Sequence, residues 1–589
     1  AVSSMGYKDT FESTVVANLD FDQKLDFITK GLSFKALISF KNWSYNSKYR
    51  LQGYNTYQLT DYTKNEDGTY NYTVNSIGDA TNHTLDSFFG TDGDRRFYIQ
   101  GYFNYDRAFG DHHVGGMLLY NQDEYNSNFN SSLLNSLPKR RMGIAVRAAY
   151  DYANRYLFEF NAGYNGSENF AKGHRFGFFP SVSVGWNISQ EKFWEPIRNI
   201  VSNFKIRGSY GLVGNDQVPY TRFLYMGITT LNDSPSYQTG YGSHKESHNG
   251  PTFSRFENED MTWEVGHKLN VGADIQLFNS LNLTVDAFRE IRSNILTTKG
   301  SIPNYLGAAN TVIYGNFAKV KNWGVDLAVD YGKQINRDLS IQFKGTFTFA
   351  RNRVMETDEA ADIRPALSAV GKPLNTLWGY VADGLYIDEA DIANNPTSTL
   401  GNITIAAGDV KYVDQPDVNG NYDGQIDSDD RVAIGHPTIP EIIYGFGPSI
   451  TWKKWDFSVF FQGQANVSLM MSGFEPFGTQ SKNNVLEWIA EDYWSKENQN
   501  PNAKYPRLTK YNNNNNMQSS TYWLRNAAFL KLKNAEVGYN FKWGRVYMSG
   551  TNLLTFSPFK LWDPEMGGGK GMAYPTQRTF NLGVQITFK

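Results

Sequence analysis

The chain contains no cysteine, so disulfides, zinc–thiolate sites and thiol nucleophiles are excluded. No run of 18 or more apolar residues interrupts it, and its mean hydropathy is −0.50. A helical membrane protein is therefore excluded. A transmembrane β-barrel is not, because its strands alternate apolar and polar residues and average to a soluble-looking value. An excess of charge is missing too. With 56 basic and 59 acidic side chains the formal net charge is −3, so bulk charge attracts no nucleic acid. The opening residues, Ala1-Val-Ser-Ser4, carry neither an initiator Met nor the basic and apolar stretches of an export signal. The expectation is a chain preceded by further residues.

What is present is alternation with a period of two. Phe580, Leu582, Val584, Ile586 and Phe588 alternate with Asn581, Gly583, Gln585, Thr587 and Lys589. Trp323, Val325, Leu327, Val329 and Tyr331 alternate with Gly324, Asp326, Ala328 and Asp330. Leu339, Ile341, Phe343, Phe347 and Phe349 form a third such row. Successive strand side chains point to opposite faces, so each segment has one greasy and one wet face. This rule predicts seventeen strands near 13–27, 29–43, 95–107, 111–125, 140–154, 155–167, 174–189, 202–214, 261–278, 280–297, 318–333, 337–354, 439–453, 454–467, 528–541, 543–556 and 577–589.

Alternation alone also describes a soluble β-sandwich. Two features separate the readings. The apolar positions from Met261 to Leu277 make one segment that would span roughly 40 Å when tilted, more than the ~25 Å apolar band of an outer-membrane barrel. Connection lengths also alternate. Short turns fall on one side, and long loops near 44–94, 215–260, 355–438 and 468–527 fall on the other. Such segregation is what outer-membrane barrels show. Phe, Tyr and Trp number 40, 37 and 13, and many lie near predicted strand ends, where rings with a polar edge favour the lipid–water interface. The fold expected is all-β, an antiparallel transmembrane barrel. Because single-chain bacterial barrels have an even strand number, seventeen strands imply an odd number supplied from upstream.

Several stretches, in their order and spacing, resemble the SusC/RagA-like TonB-dependent outer-membrane transporters of Bacteroidetes. They include Phe178-Phe-Pro-Ser-Val-Ser-Val-Gly-Trp186, Phe204-Lys-Ile-Arg-Gly-Ser-Tyr-Gly211, Ile439-Pro-Glu-Ile-Ile-Tyr-Gly-Phe446, Tyr505-Pro-Arg-Leu508, Phe529-Leu-Lys-Leu-Lys-Asn534, and Thr551-Asn-Leu-Leu554 with Asp563-Pro-Glu565. The resemblance covers essentially the whole chain and implies the C-terminal portion of a 22-stranded barrel. The plug, the TonB-contacting segment and the first strands are not in this sequence. It further implies a bacterial outer-membrane location, import of oligosaccharides or peptides, a SusD-like surface lipoprotein as a lid, and energy from TonB-ExbB-ExbD through the upstream part. The competing reading is a secreted soluble β-protein that binds or hydrolyses carbohydrate. A third is an open porin.

Chemistry-bearing motifs are few. The segment Asn419-Gly-Asn-Tyr-Asp-Gly-Gln-Ile-Asp-Ser-Asp-Asp430 has the spacing of an EF-hand-like loop. Its oxygen donors would be Asn419, Asn421, Asp423, the Gln425 carbonyl, Asp427 and Asp430. Gly424 would make the sharp turn, Ile426 would fill the apolar position, and Asp417 would be a substitute ligand. A structural Ca2+ or Mg2+ is expected there, the alternative being an acidic external turn without an ion. His244 and His248 lack the helix or third ligand a zinc site needs. No serine elbow or paired-carboxylate site stands out, so no catalytic residue is assigned and an enzyme is not expected. Trp378, Tyr380 and Tyr386 are candidates for stacking on sugars or for packing loops against the wall. The run Asn512–Asn516 reads as solvent-exposed filler.

Overall fold

A computed structural model describes residues 6–78, 85–128, 133–218, 222–300, 312–360, 363–474 and 484–588. Its frame is a 17-stranded sheet. In chain order the strands are β1 (Gly6–Lys24), β2 (Leu32–Leu51), β3 (Asp86–Phe109), β4 (His112–Ser127), β5 (Lys139–Tyr152), β6 (Tyr156–Ser167), β7 (Phe176–Asn187), β8 (Val201–Asn215), β9 (Glu264–Leu277), β10 (Leu281–Thr298), β11 (Tyr314–Asn336), β12 (Leu339–Glu356), β13 (Ile442–Trp452), β14 (Trp455–Ala465), β15 (Phe529–Phe541), β16 (Gly544–Phe556) and β17 (Thr579–Ile586). Consecutive strands pair antiparallel, as β1 with β2, β9 with β10 and β16 with β17. Contacts divide the chain into two compact units. One comprises Ala1–Ala149, Asn161–Phe179 and Asp216–Tyr225; the other holds Tyr150–Phe160, Pro180–Asn215 and Met226–Lys589.

Register assigns the faces. On β9 and β10, Leu269, Val271, Ala273 and Ile275 lie opposite Arg289, Ala287, Val285 and Leu283. The row continues across β11 through Trp323, Val325, Leu327 and Val329. This greasy face is bare: Val271 is 52% exposed, and Leu582 on β17 is 79% exposed. The opposite face holds charge. Arg207 on β8 donates to both oxygens of Asp286, at 2.7 and 2.6 Å, and to Asp274 at 3.2 Å. The Asp286 side chain is only 15% exposed. Polar groups on the sheltered face and aliphatics on the open one invert the soluble pattern, which is the arrangement a wall in hydrocarbon requires. A sandwich would bury those aliphatic rows between sheets.

Turn lengths separate the two ends of the wall. Residues 110–111, 153–155, 278–280, 337–338, 453–454 and 542–543 make tight turns, whereas 52–85, 216–263, 357–441, 466–528 and 557–578 are long. At the tight-turn end Phe278, Trp452, Trp455 and Trp543 are exposed. Lys453 lies 5.5 Å from the Trp452 ring and Lys542 5.6 Å from that of Trp543. Such amphipathic rings belong at the lipid–water boundary.

Two expectations differ from the structure. The long segment ending at Leu277 starts as a strand at Glu264, because Met261 and Trp263, though in period, are buried ahead of it. The loops near 44–94 and 215–260 are partly strand: β2 runs to Leu51, and hairpins form from Thr56–Lys64 with Tyr70–Gly78 and from Ile228–Thr239 with Glu246–Arg255. The two buried hydrophobic clusters of the second unit are built mainly from the long loops, although Val320, Val354, Phe529 and Lys531 are buried within wall strands. One cluster joins Val467, Leu469, Met471, Ile489, Tyr505, Trp523 and Phe559; another joins Tyr380, Leu385, Val410, Tyr412, Ile426 and Trp494.

Candidate functional site

The first unit carries a cleft of about 590 Å3 at the long-loop end of its strands. Arg96, Asp123 and Tyr125 reach it from β3 and β4. Arg96 pairs across with Tyr125, and Phe97 with Glu124, so the three lie on the wet face. Lys139, Arg140 and Arg141 enter from the first residues of β5. Arg96 grips Asp123 through two bonds of 2.6 and 2.9 Å. Arg141 grips Asp216 in the same way at 2.8 and 2.9 Å, and the Ser167 hydroxyl donates to that carboxylate at 2.7 Å. Bidentate pairs of this kind fix the plane of the guanidinium. Arg222 is buried and donates to Glu168 and to the carbonyls of Leu137 and Pro138. The Lys139 ammonium stands 5.6 Å from the Tyr125 ring. Sequence reasoning passed over this cleft, although the Lys139-Arg-Arg141 run was a visible signal.

In the second unit the loops 357–441 and 466–528 interlock around a buried carboxylate. Asp409 is fully buried. It accepts from Arg507 at 2.6 and 3.0 Å, from Asn513 at 2.9 Å, from Asn516 at 3.0 Å and from the Ala406 amide at 2.9 Å. Asn515 donates to the Val410 carbonyl at 2.8 Å, and Tyr412 to the Asn515 carbonyl at 2.6 Å. Burial pushes the Tyr412 hydroxyl far above its usual range. The asparagine run is thus not exposed filler: Asn513, Asn515 and Asn516 are buried, and only Asn512 and Asn514 face solvent. These three side-chain amides supply bonds to the buried carboxylate and to a loop carbonyl that water cannot reach. Tyr380 and Tyr386 are buried as well, with Tyr380 against Tyr412 at 5.2 Å, so these two rings pack loops and offer no face to a ligand.

The Asn419–Asp430 loop has the expected turn and apolar anchor: Gly424 has φ +74° and Ile426 is fully buried. The oxygens are engaged locally. Asp417 accepts from the amides of Asn419 and Asn421 at 2.8 and 2.9 Å. Those bonds, the Asn421 amide first, hold its carboxyl below the ordinary range. Asp423 accepts from the Gln425 amide at 2.8 Å, and Asp427 caps the Asp429 amide at 2.8 Å. Asp430, buried, accepts from the amides of Gln415 and Asp427 at 2.7 and 2.8 Å. Burial first, then Asp414 and Asp427, raises its pKa. Asp414 accepts from the Gly424 amide through Oδ2 at 2.9 Å, while its buried Oδ1 has no partner. Among the described residues no three His, Asp or Glu groups converge as a metal cage. His248 meets Glu246 only at 3.8 Å, on an exposed hairpin.

Residues 3–553 match the TonB dependent receptor-like β-barrel family. The chain belongs to that family. TonB-dependent receptor P3 of Formosa agariphila is 26% identical over 479 residues, which are 75% of this chain and 45% of that protein. TonB-dependent receptor SusC of Bacteroides thetaiotaomicron is 24% identical over 464 residues, 75% of this chain and 43% of that protein. The solved structure of the RagAB peptide transporter superposes with a TM-score of 0.72 at 19% identity, covering 99% of this chain and 62% of that one. The chain therefore spans less than half the length of these curated relatives. Membership makes the greasy rows an outer-membrane surface and the charged face a barrel interior.

Proposed function

We propose that this chain forms most of the wall of an energised importer that carries oligomeric nutrients, oligosaccharides in preference to peptides, through the outer membrane. The observation that carries this reading is a TonB-dependent receptor wall whose long outward loops are folded around their own core, a built mouth rather than loose connections. The preference for sugar rests on the polar cleft lining, where Val218 is the one aliphatic side chain among charged, amide and hydroxyl groups. A SusD-like lipoprotein would cover the loops, and TonB-ExbB-ExbD would act through a plug contributed by upstream sequence. Seventeen strands support the need for an upstream part. In an antiparallel wall of consecutive strands, an odd count leaves the first and last pointing the same way, so they cannot close on each other antiparallel. Five further strands would complete the family's 22.

The test is deletion of the complete gene in its host, followed by growth on single oligosaccharides and by affinity purification of the tagged protein. Loss of growth on an oligosaccharide, with a surface lipoprotein in the complex, is expected. Growth unaffected on every oligosaccharide but lost on peptides would overturn the sugar reading. Recovery of the protein as a soluble monomer would overturn the transporter.

We propose also that the Asn419–Asp430 loop takes up a structural Ca2+ or Mg2+ ion. Its support is the buried, unpartnered Asp414 Oδ1 beside Asp430, together with exposed oxygen donors on Asn419, Asn421 and Asp423. Chelation, or Asp423→Ala with Asp430→Ala, should speed proteolysis of 357–441 while leaving the barrel folded. Equal cleavage rates in chelated, variant and Ca2+-loaded protein would defeat the idea.

A further inference from the structure

The cleft's charge goes beyond its polarity. Its lining holds five cations, Arg96, Lys139, Arg140, Arg141 and Arg222, against two carboxylates, Asp123 and Glu168. Glu124, on the face of Phe97, answers Arg140 at 2.9 Å, and Asp216 answers Arg141. Lys139 faces an aromatic ring instead of a carboxylate. Arg222 is buried, and its Nε has no hydrogen-bond partner. A buried guanidinium N–H left unmade is costly. The surrounding amides and hydroxyl match sugar hydroxyls, and the near absence of aliphatic lining leaves no seat for apolar peptide side chains.

We propose that this cleft is an outward-facing recognition site for an anionic oligosaccharide, one bearing carboxylate or sulfate groups, with Lys139 and Arg141 meeting the charge. The inference rests on the importer reading and narrows its cargo. The experiment uses the complete outer-membrane protein in detergent. Binding of four probes is measured: tetragalacturonate for carboxylate, a chondroitin sulfate tetrasaccharide for sulfate, neutral maltotetraose, and tetraglutamate. At least one anionic sugar should bind at least about tenfold more tightly than maltotetraose. That affinity should weaken as salt rises. Lys139→Gln with Arg141→Gln, both at exposed positions, should remove most of the difference. Equal affinity for maltotetraose, tighter binding of tetraglutamate, or an unaltered double variant would each overturn the proposal. Those results leave transport itself standing. Conversely, an anionic sugar that binds as expected but is never imported supports the site and counts against the importer.

Discussion

At the residue scale, the charges that matter are those water cannot reach. Asp409 is fully buried, while its partner Arg507 is partly exposed. Removing the arginine leaves an uncompensated buried anion, a loss of about 3–5 kcal/mol. Arg507→Ala should therefore unlock the loops 357–441 and 466–528, read as faster amide exchange at Val410 and Trp523, with the barrel still heat-resistant. Unchanged exchange would show that the asparagines alone hold the carboxylate. The asparagine run shows what composition conceals. Five consecutive polar residues look like solvent-facing chain, but a buried carboxylate and a buried loop carbonyl need donors, and Asn513, Asn515 and Asn516 point inward to provide them. Ile426, by contrast, was legible from spacing, because a Gly at the turn leaves only one place for the apolar residue to go.

At the scale of elements, the period of two decides everything about the wall. Val271 sits mid-strand on the lipid side. Val271→Lys should cost about 2–4 kcal/mol in denaturant unfolding from a bilayer, whereas Asn270→Lys, one residue along on the wet face, should cost little. Equal costs would mean that the faces had been assigned wrongly. A second element-level tie joins β15 to the 557–578 loop. Lys531, wholly buried, meets Asp563 at 2.7 Å and also reaches Glu565. Burial raises the Asp563 pKa, but the Lys531 and Thr576 bonds outweigh it and leave the carboxyl below its ordinary value. A depressed carboxyl stabilises above its unfolded pKa and loses that contribution as pH falls through the folded value. The loop should hold above about pH 4 and loosen in more acid solution, seen as tryptophan fluorescence from Trp562. A profile flat down to pH 2 would count against the tie. Lys531, Lys533, Asp563 and Glu565 all lie in the two stretches, 529–534 and 563–565, that carried the family resemblance, and here they meet as one ion-pair group.

For the whole molecule, the consequence of an odd strand number is mechanical. Alone in detergent, the 589-residue chain should show no heat-modifiable gel mobility, because its two edge strands run the same way. Joined to the upstream segment of the full gene, it should shift. A shift from the isolated chain would mean closure by another route and would remove the argument for five more strands. The seventeen wall strands, the parity of short and long connections and the outward greasy rows could all be read in the residues, since a strand records its two environments in adjacent side chains. The loops could not be read in the same way. Whether Met261 and Trp263 extend a strand or cap it, whether 56–78 is a coil or a hairpin, and which cations gather around one cleft depend on partners up to a hundred residues distant. Spacing along the chain carries local geometry, while burial and charge balance arise only when remote segments meet.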